Sequence, residues 1–196
     1  MPALYSALVH YPIKDRSGNV VTTSVTNLDV HDLSRLSRTY DLAGYFVVTP
    51  IEAQRELVGR ILSHWSPGGA GAARVPKRAE ALSICQTITS LQEASDVIAA
   101  RHGKRPRWVA TSAQLPPRGP ALSYEALRRD LLPVSESDAV PLLLIFGTGH
   151  GLTDDLLEQC DDVLEPLRGG ASYNHLSVRT AAAIILDRLL GERALR

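Results

Sequence analysis

Segments with the pattern of buried strands alternate with segments of helical periodicity along nearly the whole chain. The clearest strand is predicted over 140–146, where a continuous apolar run is typical of a parallel strand covered on both faces. The alternation predicts an α/β fold with a mostly parallel sheet and helices on both faces. The other predicted strands are 5–12, 20–26, 45–48, 82–88, 107–111 and 162–164, the helices are 29–42, 52–62, 91–101, 124–132, 154–160 and 176–190, and a Pro- and Gly-rich loop is predicted over 66–76.

The chain carries no net charge, because 21 Lys and Arg side chains balance 21 Asp and Glu side chains. Proteins that bind nucleic acid over a wide surface are usually basic throughout. If this chain binds RNA, the contact must therefore be a local basic patch. Its 196 residues, of which 44% are hydrophobic and 21% charged, otherwise predict one soluble globular domain.

The apolar runs are too short for a membrane-spanning helix, since the longest, 142–146 and 181–186, fall far below the ~18 residues that a span needs. No basic leader precedes an apolar run at the start of the chain, so no secretory signal is predicted. Cys85 and Cys160 form no Cys-x-x-Cys pair, which predicts neither a disulfide nor a metal site. These features predict a cytoplasmic protein with no membrane and no metal as partners.

A glycine loop follows the strand at 140–146, with the sequence Phe146-Gly147-Thr148-Gly149-His150-Gly151-Leu152. Glycines at alternate positions let the backbone approach a ligand and expose several N–H groups. No Gly-Lys-Ser/Thr follows, and Leu152 breaks the Gly-x-Gly-x-x-Gly pattern, so neither phosphate motif is present. Asp154 and Asp155 open the next helix and would repel a phosphate. The loop therefore predicts a ligand that lacks phosphate or carries positive charge, and the alternative is a tight strand-to-helix turn.

A second glycine-containing turn connects the strand at 162–164 to the last helix. The strand ends in Glu165-Pro166, and the chain then passes through Gly169-Gly170 into the polar stretch 173–177. Ligands of parallel sheets bind outside the carboxyl ends of the strands, where this turn and the glycine loop are both expected. Asn174 could instead be present only as the cap of the following helix.

Charged residues gather at the start of the first predicted helix and in two basic stretches. Asp29 and Arg35 are candidates for chemistry, but acids are favoured at a helix start, and Asp32 with Arg35 also suits an ion pair on a solvated face. The basic stretches 74–78 and 101–107 could contact an RNA backbone. The alternative for each stretch is a solvated helix end.

Four segments of the chain together resemble the SPOUT class of RNA methyltransferases, which use S-adenosylmethionine (SAM). They are 26–35, 38–50, 146–152 and 164–191, and the resemblance is to a small bacterial group related to the catalytic domain of tRNA (guanine-N1)-methyltransferase. The resemblance implies one SPOUT-like methyltransferase domain over 1–196 with a C-terminal trefoil knot. It further implies SAM bound in the knot, a homodimer, and tRNA or rRNA as the substrate.

The resemblance assigns the SAM site to turns at the carboxyl ends of strands. The glycine loop would pack against the adenosine, the segment after the strand at 162–164 would contact the adenine edge through backbone groups, and the turn before the last helix would close the pocket. The residues assigned to the cofactor are Thr111, Ser112, Phe146, Gly147, Thr148, Gly149, Gly151, Leu152, Leu164, Glu165, Pro166, Leu167, Gly169, Tyr173, Asn174, Leu176 and Ser177.

For the chemistry, the resemblance indicates Asp29 and Arg35, which stand six residues apart where related enzymes carry Asn and Arg. Asp29 is the candidate base, or the group that holds the base. Arg35 would offset negative charge on the acceptor or bind phosphate. Because Asp29 departs from the family's Asn, the type of methyl acceptor stays open. The predicted RNA contacts are Arg38, Lys77 and Arg78.

Two other functions fit the same sequence. A non-catalytic SAM- or RNA-binding protein of the same fold would keep the pocket and lack the chemistry. An ordinary dinucleotide-binding fold would use Glu165, which lies 18 residues after Gly147, near the ~20 expected for an acid that binds a ribose. The imperfect glycine spacing argues against the dinucleotide.

Overall fold

A computed structural model of the chain describes residues 1–132, 139–170 and 173–192. Its strands are β1 (Leu4–Val9), β2 (Ile13–Lys14), β3 (Val20–Val21), β4 (Gly44–Val48), β5 (Cys85–Ile88), β6 (Arg107–Ala110), β7 (Leu142–Gly147) and β8 (Asp162–Val163). Its helices are α1 (Asn27–Thr39), α2 (Glu52–Trp65), α3 (Ala70–Arg74), α4 (Pro76–Leu82), α5 (Leu91–His102), α6 (Tyr124–Asp130), α7 (Asp154–Gln159) and α8 (Val178–Leu190).

Six strands form one sheet in the order β5-β4-β1-β7-β6-β8, and every neighbouring pair is parallel, as predicted. The chain passes from β1 to β4 and β5 on one side, whereas the later strands lie on the other side, so the strand order reverses between β1 and β7. Val9 lies opposite Gly147 at the carboxyl end of that pair. Open α/β sheets bind ligands in the crevice at such a reversal.

Two apolar layers cover the sheet, which confirms the prediction of helices on both faces. One layer contains residues of α1, α2, α4, α6 and α8, and the other contains residues of α5 and α7. Side chains of β7 alternate between them, since Leu144 belongs to the first layer and Leu143 and Ile145 to the second. Burial on both faces explains why this strand is apolar throughout. The trefoil knot stays a prediction.

The predicted strand over 20–26 is wrong beyond Val21. β3 pairs antiparallel with β2 in a separate hairpin, and the chain then turns into α1. Thr26 caps that helix, because its Oγ1 accepts from Asp29 N at 3.2 Å while Asp29 Oδ2 accepts from Thr26 N at 3.0 Å. This reciprocal capping box starts α1 at Asn27, earlier than predicted.

The predicted loop over 66–76 is also wrong, since it contains the short helix α3 and leads into α4. Pro76 occupies the first turn of α4, where its missing N–H leaves no intrahelical bond unmade. The helix continues to Leu82, so β5 begins at Cys85 rather than at residue 82. None of the helices within the described residues has the length and apolar character needed to span a bilayer.

Candidate functional site

A cavity of about 800 Å³ opens beyond the carboxyl ends of β6 and β7. This volume lies within the ~300–1,000 Å³ range of small-molecule and cofactor sites. We call it the large cavity. Its lining consists of Lys14, Thr23, Ser24, Asp29, Thr111, Ser112, Ala113, Gln114, Phe146, Gly147, Thr148, Gly149, His150, Gly151, Leu152, Glu165, Leu167, Asn174, His175, Leu176, Ser177, Val178, Ala181 and Ile185.

The glycine loop after β7 needs glycine at its first and middle positions. A Cβ at Gly147 would lie 2.9 Å from the backbone N of Leu152, so a side chain there would prevent the loop from folding back on itself. Gly149 has a φ of +56°, and a Cβ there would lie 3.1 Å from Ile13 Cγ2. Glycine at these positions therefore leaves backbone as the main surface that the loop presents to the cavity.

The β2–β3 hairpin packs against the glycine loop and forms a wall that the sequence does not predict. Lys14 N donates to Gly151 O at 2.9 Å, and His150 N donates to Lys14 O at 3.2 Å. The Lys14 ammonium also pairs with Asp154 Oδ1 at 2.8 Å. Lys14 therefore offsets one of the two acids that follow the loop and fixes the hairpin to it.

One sequence signal marks this hairpin. Asp15 Oδ1 accepts from the backbone N–H groups of Ser17 and Asn19, at 2.8 and 2.9 Å. The sequence Asp15-Arg16-Ser17-Gly18-Asn19 is rich in the residue types typical of a turn of this kind. The turn returns the chain so that Thr23 and Ser24 reach the large cavity.

The imidazole of His10 is fully buried behind the glycine loop. Its Nδ1 is hydrogen-bonded to Thr23 Oγ1 at 3.0 Å, Thr23 Oγ1 also contacts Thr148 Oγ1, and Thr148 Oγ1 donates to Val9 O at 3.0 Å. Burial lowers the pKa of His10, and the negative charge of Asp29 opposes that shift. His10 Nε2 has no hydrogen-bond partner in the part of the chain that the structure describes. The His10 network therefore joins the hairpin, β1 and the glycine loop.

The segment after β8 forms the opposite wall through Glu165 and Leu167. Glu165 Oε1 accepts from Tyr124 N at 3.1 Å, which anchors the start of α6 to this wall. The side chain of Leu164 is turned into the core, and Leu164 N donates to Ala110 O at 2.8 Å. Leu164 therefore supports the wall from behind and does not line it.

The turn before α8 lines the large cavity, but Asn174 does not cap the helix. The cap is Ser177, whose Oγ accepts from Thr180 N at 3.3 Å. Asn174 Nδ2 donates to Leu167 O at 3.0 Å, which joins the turn to the wall after β8. Residues 171 and 172 of this turn lie outside the described residues.

The large cavity brings together all but four of the residues predicted for the cofactor. Leu164 and Pro166 are buried beneath the wall, whereas Gly169 and Tyr173 face solvent, Tyr173 with 76% exposure. These four lie outside the lining. The lining residues that the sequence did not indicate are Lys14, Thr23, Ser24, Ala113, Gln114, His150, His175, Val178, Ala181 and Ile185.

The carboxylate of Asp29 lines the large cavity at the start of α1. Its Oδ2 accepts from Thr26 Oγ1 at 2.7 Å, and its Oδ1 accepts from Arg179 Nη1 at 3.3 Å. Arg179 also pairs with Asp32 at 3.5 Å, so the arginine bonded to Asp29 comes from α8. Arg35 is exposed and lies outside the lining. It stands six residues after Asp29, and six residues rotate a helix by one full turn plus about 240°, so the two side chains leave α1 in different directions. The catalytic role of Arg35 stays a prediction.

The three residues predicted to contact RNA differ in their partners within the protein. Arg38 pairs with two acidic side chains, at 2.8 and 2.9 Å. Arg78 lies over the ring of Trp65, 5.2 Å from its centroid, and Lys77 is exposed. None of the three lines the large cavity, so any RNA that they contact would extend outside it.

Residues 3–191 match the model of a protein family described as SAM-dependent RNA methyltransferase. The chain belongs to this family. Because the match covers nearly the whole chain, the large cavity lies within the region that matches the family. This agrees with the resemblance found in the sequence.

Individual relatives of the chain agree with the family. A tRNA (guanine-N(1)-)-methyltransferase from Oleidesulfovibrio alaskensis is 47% identical over 190 residues, which cover 96% of this chain and 42% of that protein. The chain thus spans less than half the length of that curated relative. An uncharacterized protein from Aquifex aeolicus is 38% identical over 186 residues, 95% of this chain and 87% of that protein. A solved probable methyltransferase from Bordetella pertussis Tohama I shares the fold, with a TM-score of 0.64, 16% identity and coverage of 100% and 97%.

The residues of the large cavity fit the SAM that this methyltransferase family uses. SAM carries positive charge and an adenosine but no phosphate. Asp29 and Glu165 offer carboxylates to the positive charge, and Leu152, Leu167 and Ile185 offer apolar surface to the adenine. Within residues 1–132, 139–170 and 173–192, no group of three or more His, Cys, Asp or Glu side chains could hold a metal ion. The predicted lack of a metal stays a prediction.

Proposed function

We propose that this chain binds SAM in the large cavity and transfers its methyl group to RNA, with tRNA or rRNA as the substrate. The observation that carries the proposal is the large cavity, where glycine-loop backbone, apolar walls and two carboxylates surround a space suited to a cationic cofactor without phosphate. Family membership supports RNA as the acceptor. The name of the Oleidesulfovibrio relative supports tRNA, and the chain covers 42% of that protein.

Three walls would hold the cofactor. The backbone of 146–152 would pack against the adenosine, Glu165 and Leu167 would form the second wall, and the turn at 174–177 would close the site, with Thr111 at its edge. When bound, SAM supplies a methyl group on a positively charged sulfur, which leaves with the electron pair of the broken bond. The walls orient that methyl group toward the acceptor, and orientation is the main contribution a protein makes to such a displacement.

Asp29 is the proposed group that removes a proton from the acceptor. Its Oδ2 is occupied by Thr26, whereas Oδ1 has the longer contact of 3.3 Å with Arg179 and is the oxygen that would accept the proton. Arg35 would offset negative charge on the acceptor. Because Arg35 is exposed outside the large cavity, the RNA or a second copy of the chain must bring Arg35 and the acceptor together.

We also propose a homodimer, a trefoil knot and a cytoplasmic location. Ala183 on α8 is partly exposed and would let a second helix approach closely, and Leu28 on α1 is 54% exposed. A knot is supported by the glycine loop, Glu165, Leu167 and residues 174–177, which line one cavity. The proposed RNA substrates support the cytoplasm. Sedimentation equilibrium of the purified chain tests the dimer, and a mass of 21.3 kDa would contradict it.

Transfer of a labelled methyl group tests the proposed activity. The purified chain is incubated with tritium-labelled SAM and, separately, with tRNA and rRNA from cells that lack the protein, in which the target nucleotide is unmodified. We expect label in one RNA class and, by mass spectrometry of nucleosides, in one nucleoside. SAM binding in a calorimeter without transfer to either RNA would favour the non-catalytic alternative. Binding of NAD in place of SAM would favour the dinucleotide fold.

A further inference from the structure

A second cavity lies between α1 and α2. It has a volume of about 310 Å³, and we call it the small cavity. Two of its residues, Asn27 and His31, stand two positions before and two positions after Asp29, which lines the large cavity. At a rise of 1.5 Å per residue these three residues span about 6 Å of the helix axis, so both cavities adjoin the same part of α1. The small cavity is lined by Asn27, His31, Arg60, Ile61, His64 and Trp65.

Aromatic rings set edge to face form the centre of the small cavity. The rings of His31 and His64 each stand at 85° to the indole of Trp65, with centroid separations of 5.6 and 5.1 Å. Trp65 packs against the core, and α3 packs so closely that a Cβ at Gly71 would lie 2.6 Å from the His64 ring. His31 Nδ1 is buried without a hydrogen-bond partner among the described residues. Fixed aromatic rings suit a flat ligand that stacks on them, as a nucleobase does.

Positive charge surrounds these rings. Arg78 lies over the indole of Trp65, 5.2 Å from its centroid, and Arg60 lines the small cavity. The pKa of His31 is lowered by burial and then by the positive charge of Arg78, while Asp32 opposes the shift. Across the described ranges, no ion pair engages Arg60 or Arg78. Arginines without carboxylate partners are suited to neutralise phosphate.

We propose that the small cavity binds an unpaired nucleotide of the RNA substrate, close in the strand to the nucleotide that receives the methyl group. The base would stack on the indole of Trp65 with its edge toward His31, and a phosphate would lie between Arg60 and Arg78. A volume of about 310 Å³ suits one base, and bases are accessible for stacking only where RNA is single-stranded. This inference rests on the proposed function, since it requires RNA to be the acceptor in the large cavity.

The double variant Arg60→Ala/His64→Ala tests the proposal, because both side chains are exposed and their removal spares the core. Trp65→Phe is the second variant, since it keeps a ring in contact with the core while reducing the stacking surface. Arg129→Ala is the matched control. It removes an exposed arginine of α6 that lines neither cavity and belongs to neither of the basic stretches 74–78 and 101–107.

Two fluorescently labelled probes are used in anisotropy titrations, a single-stranded oligouridine of about twelve nucleotides and total bacterial tRNA. For the double variant we expect RNA affinity to fall about 5- to 10-fold. A plot of the logarithm of the binding constant against the logarithm of the salt concentration should become shallower by about one unit of slope for each lost phosphate contact. Trp65→Phe should lose about threefold in affinity for oligouridine. SAM affinity, measured by calorimetry, should stay at the wild-type value in both variants, and Arg129→Ala should match the wild type throughout.

The outcomes separate this inference from the function on which it rests. If the double variant binds both RNAs as the wild type does and methyl transfer persists, the small cavity is not an RNA site and the proposed function stands. If the unmodified chain neither binds RNA nor transfers a methyl group, the proposed function itself is wrong. If the double variant instead changes the oligomeric state, the small cavity is a contact between copies of the chain, and the inference is overturned.

Discussion

The large and small cavities adjoin the same part of α1, yet they are built from different parts of the protein. Loops that follow parallel strands form much of the large cavity, whereas side chains of two helices form the small cavity. The large cavity therefore depends on backbone conformations that few residue types adopt, as at Gly149 with its φ of +56°. The small cavity depends on rings and charges that substitutions can remove while the helices remain.

This difference leads us to expect different mutational effects. Substitutions around the large cavity should change SAM affinity or the rate of methyl transfer, because its walls hold the reacting groups. Substitutions in the small cavity should change RNA affinity and leave the chemical step intact, because they alter only contacts away from the reacting atoms. Variants can therefore show whether effects on SAM affinity and methyl transfer separate from effects on RNA affinity.

Two residues on α1 give the largest expected contrast. Asp29→Asn keeps the shape of the side chain but removes its charge, and a general base contributes about 10² to 10⁴ in rate. We expect kcat for methyl transfer to fall at least about 100-fold, with KM for RNA nearly unchanged. Asn27→Ala, the control on the small cavity, should raise KM for RNA and leave kcat intact. If steady-state assays showed equal losses of kcat in both variants, the expected difference between the two cavities would be wrong.

Arg35 lies outside the lining of both cavities, so it tests whether a residue beyond them takes part in the chemistry. We expect Arg35→Ala to reduce methyl transfer about 100-fold, the size of effect typical of a group that stabilises developing charge. Calorimetry should show SAM affinity unchanged, and Arg129→Ala should retain full activity. Transfer within about threefold of the wild type, or ~0.7 kcal/mol, would show that Arg35 has no such role.

The glycine loop offers a direct test of dependence on backbone conformation. Valine at 149 is strained at a φ of +56°, and its Cβ would lie 3.1 Å from Ile13 Cγ2. Such strain costs about 1–3 kcal/mol, so we expect Gly149→Val to weaken SAM binding about 5- to 150-fold in calorimetry. Gly59→Ala is the control, because a Cβ at that glycine in α2 meets open space. Wild-type SAM affinity in Gly149→Val would show that the loop does not hold the cofactor.

Local signals made much of the large cavity predictable from the sequence. The apolar run in β7 indicates a strand buried on both faces, and the alternating glycines after it indicate close backbone approach. The alternation of strands and helices indicates a parallel sheet, in which turns after different strands meet at one edge. For these reasons the glycine loop and the turn at 174–177 could be assigned to one site before their contact was known.

Contacts between distant segments could not be predicted in the same way. Arg179 bonds to Asp29 across 150 positions and Lys14 to Asp154 across 140, and no local periodicity records such distances. The small cavity likewise exists only because α1 and α2 pack side by side. Residues 66–76 were predicted as a loop because Pro and Gly commonly end helices, whereas Pro76 begins α4.

Beside each cavity lies a histidine whose pKa is lowered by burial, and the two histidines differ in depth. His10, behind the glycine loop, is fully buried, whereas His31 in the small cavity is only partly buried. In the unfolded chain an imidazole titrates near its ordinary pKa of about 6.5. As the pH falls below that value, the unfolded chain takes up a proton that folded His10 resists, so the free energy of unfolding decreases until the lowered pKa of the folded state is reached.

We therefore expect His10→Gln to flatten the decline of stability below about pH 6.5, measured by urea unfolding at a series of pH values. One proton sets an upper limit of ~1.4 kcal/mol per pH unit on the slope that His10 contributes. His31→Gln is the matched control and should flatten the profile less, because water still reaches part of that ring. If His31→Gln had the larger effect, the positive charge of Arg78 beside His31 would outweigh the deeper burial of His10 in setting the pH profile.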